Sequence, residues 1–285
     1  MSVDISQRIQ NMYPHFSKGQ KKIATAILNQ YDKIAYMTAS RLGRLVGVSE
    51  STVVRFAGML GFDGYSELRE AIVELVRMKS TPNQRIEITK QRLGTGDVIE
   101  KVMEADIHKI RHTLENMDRS AFSSAVSSIL SAKTVYVMGA RSAEPVAKIL
   151  HYNLSLIFDN IKFVNSNSTA ELFEQMFSIC SDDVLIAFSF PRYSSKMVNA
   201  VKFAKSKNAT VIGFTDSPIS PIAEYSTYLL TAQSDMASYM DSLVAPISII
   251  NAIIIEITRR KEHEITARFE TLEKIWDEYN VYEKR

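Results

Sequence analysis

A single cysteine, Cys180, is all that the chain contains. That excludes an internal disulfide framework and any zinc cluster built on cysteines. Cys180 ends an apolar helical pattern (Leu172, Phe173, Met176, Phe177), so a buried, inert thiol is expected there. Long hydrophobic runs are also missing. The best candidate, Leu243 to Ile257, is broken by Pro246, Asn251 and Glu256. It is too short for a comfortable bilayer crossing and reads as a buried core or interface helix. No apolar segment follows Asp4 and Arg8 in the manner of a signal peptide, so a cytoplasmic location without membrane contact is expected. Neither charge sign dominates, with 34 Lys and Arg against 32 Asp and Glu. No internal repeat or low-complexity segment stands out.

What is present is ordinary in bulk and uneven in detail. The 285 residues suffice for two domains. A hydrophobic content of 46% and a charged content of 23% fit a globular protein. Residues 1–80 hold 11 Lys and Arg against 7 Asp and Glu, a net +4, and the remainder holds 23 against 25, a net −2. A basic excess confined to one part is the footprint of a polyanionic partner.

That part contains the most informative stretch, Thr38 to Phe56, which reads as two short helices joined by a tight turn. Thr38 is placed to cap the first helix and Ser49 the second. Gly47 falls where the first helix must stop, and glycine tolerates the left-handed conformation of such a stop. Leu42, Leu45 and Val46 are expected to face inward from the first helix, and Val53, Phe56 and Leu60 from the second. Glu50, Ser51, Thr52 and Arg55 then point outward together. Small polar groups near a helix N-terminus followed by one long cation suit a recognition helix in the major groove of double-stranded DNA. Arg41 and Arg44 on the first helix are phosphate candidates, Ser49 completes the DNA-facing set, and a solvated basic face would look the same.

The first segment, to about Lys79, is expected to be all helical. Ser17 with Gln20 makes a capping-box start, Gly61 to Tyr65 is a stop and restart, and Leu68, Ile72, Leu75 and Val76 mark a last amphipathic helix. A linker is expected over 80–97, since Ser80-Thr81-Pro82-Asn83 breaks the helix and a polar stretch runs on to Gly94-Thr95-Gly96. The second domain is placed at 98–285. From Lys133, short apolar runs alternate with helical stretches: Thr134–Met138, Ile161–Val164, Val184–Phe188, Thr210–Phe214 and Thr227–Leu230. Continuous apolar strands separated by helices predict a doubly wound α/β domain with a parallel sheet and right-handed crossovers. The fold class is thus multi-domain, an all-α helix-turn-helix domain followed by a doubly wound α/β domain of flavodoxin-like type.

Ligands of such sheets bind beyond the carboxyl ends of the strands. After the first strand comes Gly139-Ala140-Arg141-Ser142-Ala143-Glu144-Pro145, and after the third Ser189-Phe190-Pro191-Arg192-Tyr193-Ser194-Ser195. Both open helices, whose free amides and positive dipole ends suit a phosphate. Gly139, Arg141, Ser142, Ser189, Arg192, Tyr193, Ser194 and Ser195 form the candidate anion site, with Arg192 as a possible bidentate clamp. Taken singly, serines at helix starts are usually caps.

The pattern Val48-Ser49, Thr52-Val53, Arg55-Phe56, Leu60-Gly61-Phe62, Gly64-Tyr65 and Glu67-Leu68 resembles the N-terminal domain of the RpiR family of transcriptional regulators. The second domain resembles the sugar isomerase (SIS) domain that this family carries. The resemblance spans nearly the whole chain. It implies a DNA-binding regulator of sugar or amino-sugar metabolism whose SIS domain senses a phosphosugar, which commonly dimerises, and for which repression is the more common mode. Ser142 matches the serine of the family's first phosphate loop, and Ser189 and Ser194 the first hydroxyl and the terminal Ser/Thr of its second. SIS loops often read Gly-x-Gly-x-Ser and Ser-x-Ser-Gly-x-Thr. Here Arg141 replaces the second glycine of the first loop. Pro191 and Arg192 replace the middle serine and the glycine of the second. A phosphorylated or carboxylated sugar derivative held partly by Arg141 and Arg192 is expected. A homodimer or higher homo-oligomer would set two recognition helices on an inverted-repeat operator about one helical turn apart or a multiple, with the ligand acting through the linker.

No catalytic residue, cofactor or metal is assigned. His108 and His112 have the i, i+4 spacing of paired ligands but no further ligand accompanies them, so surface or interface histidines are favoured. Glu144 or Glu171 could be nominated as a general base, although a carboxylate favourable near a helix N-terminus is the plainer reading. Phe16, Tyr31, Tyr36 and Phe62 read as packing aromatics. The alternatives are a sugar-phosphate isomerase or lyase with a helical N-terminal extension, in which the turn–helix pair has no role, and a metabolite-dependent module acting on a protein partner.

Overall fold

The computed structural model describes residues 5–94, 96–165, 168–235 and 238–283. The chain forms two compact units, one comprising Met1–Gly96 and Met236–Met240, the other Asp97–Asp235 and Asp241–Arg285.

The first unit is helical: α1 (Ile5–Met12), α2 (Lys18–Ile34), α3 (Ala39–Val46), α4 (Glu50–Met59), α5 (Tyr65–Lys79) and α6 (Pro82–Leu93). Their starts follow from the sequence. Ser17 and Gln20 close a reciprocal capping box on α2, Thr38 Oγ1 accepts from Arg41 N at 3.2 Å on α3, and Ser49 Oγ accepts from Thr52 N at 3.2 Å on α4. The core gathers Ile23, Ile27, Leu42, Val53, Phe56, Leu60, Leu68 and Ile72, all fully buried. Burying one such side chain contributes about 1.5–3 kcal/mol. Tyr65 ties α5 to the chain ahead of α3, its hydroxyl donating to the Met37 carbonyl at 3.0 Å.

Three expectations are corrected here. Leu45 is 52% exposed, so it does not face inward; α3 turns Ala39, Leu42 and Gly43 to the core instead. The segment expected as a linker carries α6. Thr81 and Gln84 form a second capping box with Pro82 in its first turn, and Ile88 joins the first unit's core. Thr95 of that segment lies outside the described residues. Tyr36, expected to pack, is 40% exposed.

The second unit begins with α7 (Val98–Asn116) and α8 (Arg119–Ser131) and continues as an α/β alternation. It contains β1 (Val135–Gly139), α9 (Glu144–Ile157), β2 (Ile161–Val164), α10 (Thr169–Met176), β3 (Val184–Phe188) and α11 (Ser195–Ser206). There follow β4 (Thr210–Thr215), β5 (Tyr228–Thr231), α12 (Val244–Arg260) and α13 (Glu262–Glu278). The five strands are all parallel in the order β2-β1-β3-β4-β5. Every residue of β1 and β3 is buried. Strand periodicity of two sends Val135 and Val137 to a core shared with α8, α9 and α12, and Tyr136 and Met138 to one shared with α10 and α11. The result is a three-layer sandwich. The run from Leu243 to Ile257 lies mostly in α12, which buries Ile249, Ile250, Ile253 and Ile257. None of the described helices is long and apolar enough to cross a membrane. Past the end of α10, Phe177 is 74% exposed. Cys180 is half-buried rather than buried, and its Sγ lies 3.4 Å from Asp183 Oδ2.

Candidate functional site

In the first unit, α3 and α4 pack closely because of Gly43. A β-carbon on it would lie 2.8 Å from the Val48 carbonyl oxygen and 3.4 Å from the Glu50 amide. Gly47 then takes φ 70°, ψ 47°, the left-handed stop expected of it. On α4, Val53, Phe56 and Ala57 are buried, while Glu50, Ser51 and Arg55 are exposed and Thr52 is half-buried. Arg41, Arg44 and Ser49 are also exposed. Ser49 Oγ lies 2.9 Å from Ser51 Oγ and 2.8 Å from Thr52 Oγ1, so the three hydroxyls at the start of α4 form one ordered cluster. Val54 was missed by the sequence reading. It is 43% exposed on the same helix, and an apolar side chain there suits a thymine methyl group.

In the second unit, β1 and β3 are adjacent and end level, Gly139 pairing with Phe188. The chain leaves β1 to one side for β2, and β3 lies on the other. This is the switch point of a 2-1-3-4-5 sheet, where a crevice opens beyond the strand ends. The two candidate loops start side by side there.

Gly139 serves close packing. A β-carbon on it would meet the Ala143 carbonyl oxygen at 2.6 Å and Ala147 Cβ at 2.9 Å, so glycine lets α9 begin directly against the strand end. Arg141 holds φ 57°, a left-handed conformation that costs a non-glycine residue about 1–2 kcal/mol. The guanidinium thus sits on a backbone shaped for glycine. Arg141, Ser142, Arg192 and Ser195 are exposed, and Tyr193 and Ser194 half-buried. Ser189 is only 2% exposed and its hydroxyl has no hydrogen-bond partner. Burying a hydroxyl in that state costs about 1–3 kcal/mol.

The helices opening on this edge lack side-chain caps. Neither Ala143 at α9 nor Ser194 at α11 makes one, although Ser194 has a hydroxyl to give. At α9 a short 3-10 turn, Arg141–Ala143, takes up the start, Ala143 N and Glu144 N donating to the Ala140 and Arg141 carbonyls while Pro145 has no amide, so the free amides on this edge are those that open that turn and α11. Glu144 is committed to its neighbours, accepting from Lys148 Nζ at 2.7 Å and from Asn165 Nδ2 at 3.0 Å. That fits a structural carboxylate in a first helical turn. Asp216 was also missed. It follows β4 on the same edge, and Tyr193 Oη donates to its Oδ1 at 2.9 Å while Thr215 Oγ1 lies at 3.3 Å. Thr215-Asp216-Ser217 directly after an apolar run is the same polar strand ending that marks the other two loops.

The rings of His108 and His112 lie 6.3 Å apart on exposed positions of α7. Among the described residues, no group of three or more His, Cys, Asp or Glu side chains is arranged to hold a metal ion.

Comparison with known proteins agrees with both halves. The model of the helix-turn-helix domain of the rpiR family matches residues 3–77, and the model of the SIS domain matches residues 128–256. An uncharacterized HTH-type transcriptional regulator of Haemophilus influenzae is 27% identical over 234 residues, 80% of each chain. The HTH-type transcriptional regulator HexR of Escherichia coli is 25% identical over 272 residues, 91% of this chain and 89% of that one. Among solved structures, the Vibrio vulnificus NanR protein complexed with ManNAc-6P superposes with a TM-score of 0.59 at 21% identity, covering 95% of this chain and 97% of the other. The sugar isomerase domain of an RpiR transcription factor from Sphaerobacter thermophilus gives a TM-score of 0.58 at 24% identity over 61% of this chain and 97% of that one.

Proposed function

The chain belongs to the rpiR family of helix-turn-helix transcriptional regulators that carry a SIS domain, and from that premise we propose that α4 reads duplex DNA under the control of a phosphosugar bound at the β1/β3 edge. In this reading Arg55, Ser51, Thr52 and Glu50 meet base edges, and Arg41, Arg44 and Ser49 meet phosphates. The ligand's phosphate takes the free amides that open the Arg141–Ala143 turn and α11, with the hydroxyls of Ser142, Ser189, Ser194 and Ser195. Arg141 and Arg192 supply charge, Gly139 allows the close turn, and Tyr193 orders the loop through Asp216.

The observation that carries the proposal is the buried, unpartnered Ser189 hydroxyl at the switch point, in the loop that leads to the uncapped start of α11. A site with donors to spare is a site for an anion. The phosphorylated sugar in the NanR complex is of that chemical class. A homodimer that spaces two α4 helices by one turn of DNA, or a multiple, completes the regulator. The ligand then shifts DNA affinity through its unequal binding to two states, a coupling of typically about 1–3 kcal/mol. No enzymatic turnover is part of this reading, since Glu144, the acid beside the first loop, is held by Lys148 and Asn165.

The test is fluorescence anisotropy with duplexes from the DNA flanking the gene, repeated with a panel of hexose and amino-sugar phosphates. Binding that one phosphosugar modulates, with Arg55→Ala relaxing base preference and Arg192→Ala weakening the ligand, is the expected result. Absence of duplex binding at low salt would overturn the proposal. Conversion of a sugar phosphate by the pure protein would favour the isomerase alternative.

A further inference from the structure

The first two turns of α2 carry Lys18, Lys21 and Lys22 and no acidic residue in the first turn. This is the wrong end of a helix for cations. The amide dipoles already place positive charge there, and each added cation is disfavoured by about 0.3–1 kcal/mol. None of the three lysines has an ion-pair partner among the described residues. Lys21 has one compensation, lying 5.8 Å over the Tyr13 ring. Together with Thr25, Asn29 and Val46 the lysines line an open groove of about 430 Å³.

The groove has a definite place relative to α4. A β-carbon built on Gly19 would sit 3.5 Å from Val48 Cγ1 and 3.8 Å from Thr52 Cγ2, so the start of α2 flanks the start of α4. Lys22 Nζ would lie 3.9 Å from a β-carbon on Gly47, beside the turn itself. Gln20 Nε2 donates to Met59 Sδ near the other end of α4. The lysines therefore emerge along the flank of the helix whose outer face is proposed to enter the major groove.

We propose that this α2 groove is a second DNA contact, a sequence-independent clamp on the phosphates that border the major groove occupied by α4. A polyanion there neutralises three crowded cations and the dipole end at once, which accounts for their position. Lys18 and Lys22 are one helical turn apart, about 6 Å along the axis. One strand of B-DNA presents a phosphate every 3.4 Å or so of its axis, so the group can engage more than one phosphate. The inference rests on the DNA-binding reading of α4 and adds to it the residues that supply grip without sequence preference.

The test uses the full chain and a random-sequence duplex about three helical turns long, with affinity measured between ~50 and ~200 mM salt. Each phosphate contact contributes about 0.9 to the slope of log affinity against log salt, or about 3.5-fold in affinity across that fourfold range. Lys18→Gln/Lys21→Gln/Lys22→Gln is expected to lower the slope by up to about 2.7 and to weaken random and operator duplexes by the same factor. The triple arginine variant is expected to keep the wild-type slope. Should the triple glutamine variant fail to fold, Lys22→Gln alone is expected to lower the slope by about 0.9. A wild-type slope in the glutamine variants would overturn the clamp and leave the α4 reading standing. Failure of the wild-type protein to bind any duplex would remove both. Weakened binding to the operator alone would make these lysines sequence readers and also overturn the proposal.

Discussion

The same substitution, glycine to alanine, should have opposite consequences in the two helices of the turn–helix pair. Gly43 lies inside α3 and Gly58 in the last turn of α4. Alanine is favoured over glycine within a helix by about 0.8–1.0 kcal/mol, and that gain applies to both. At Gly58 nothing lies within 4 Å of the new methyl group, so Gly58→Ala should stabilise the first unit by about 0.5–1 kcal/mol. At Gly43 the methyl would stand 2.8 Å from the Val48 carbonyl oxygen, with Ser49 C and Glu50 N each at 3.4 Å. These are backbone atoms of the turn, and they yield only if α4 moves away from α3. Such overpacking costs about 1–3 kcal/mol. The propensity gain nearly cancels between the variants, so Gly43→Ala should fall below Gly58→Ala by about 1–3 kcal/mol. Denaturant-dependent hydrogen exchange of the α3 and α4 amides measures each variant locally. The single tryptophan, Trp276 on α13, reports the second unit and should show no change. Equal stabilisation by both alanines would refute the close approach of the two helices on which the recognition surface depends.

Ser189→Ala should raise the stability of the second unit by up to about 1–3 kcal/mol, because it removes a buried hydroxyl without a partner. The same variant should weaken phosphosugar binding about tenfold, equivalent to ~1.4 kcal/mol; thermal unfolding and titration calorimetry read the two effects, and a loss of stability would contradict the assignment. Tyr65→Phe should cost about 1–2 kcal/mol by stranding the Met37 carbonyl, read as a lower midpoint of chemical unfolding. Partial burial against Phe163 lowers the pKa of His151 below 6.5, so the unfolded chain takes up the proton first. Stability of the second unit should then fall as pH drops from about 6.5 to the lowered value and level off below it. His151→Gln should flatten that dependence, and an NMR titration of His151 at or above 6.5 would contradict it.

Particular residues explain where the sequence was informative. The five strands were readable to within a residue or so because parallel strands buried on both faces are continuous apolar runs. The caps Ser17, Thr38 and Ser49 were readable because capping is local chemistry. Pro82 misled because the same residue ends one helix and opens the next. Thr81 and Gln84 around it are as much a helix start as Ser17 and Gln20, which shows that a proline alone does not make a linker. Leu45 misled because α3 has barely two turns, and one of its inward positions is filled by Gly43. Counting apolar residues cannot find a core position occupied by hydrogen. Asp216 carries the same polar-after-apolar signal as the other two strand ends, but its pairing with Tyr193 depends on a strand end brought near by the sheet, and the left-handed Arg141 backbone was signalled only by the glycine it replaces.

The start of α11 is where the candidate anion edge has polar capacity to spare. Helices α2, α3, α4, α6, α7 and α8 all begin with a side-chain cap, each worth about 1 kcal/mol. Helices α5, α9, α10, α11, α12 and α13 have none, and of these α9 and α11 follow the two candidate anion loops. Helix α11 has Ser194 in position and does not use it. An uncapped α11 forgoes about the stabilisation that a cap would give, and an anion seated on its start and on the Arg141–Ala143 turn would restore it. Occupancy of the edge and stability of the second unit are therefore linked. A ligand at a hundred times its dissociation constant raises stability by about 2.7 kcal/mol if it binds only the folded state. This linkage gives the sheet edge two distinguishable states. A regulator that responds to a sugar phosphate needs such a pair.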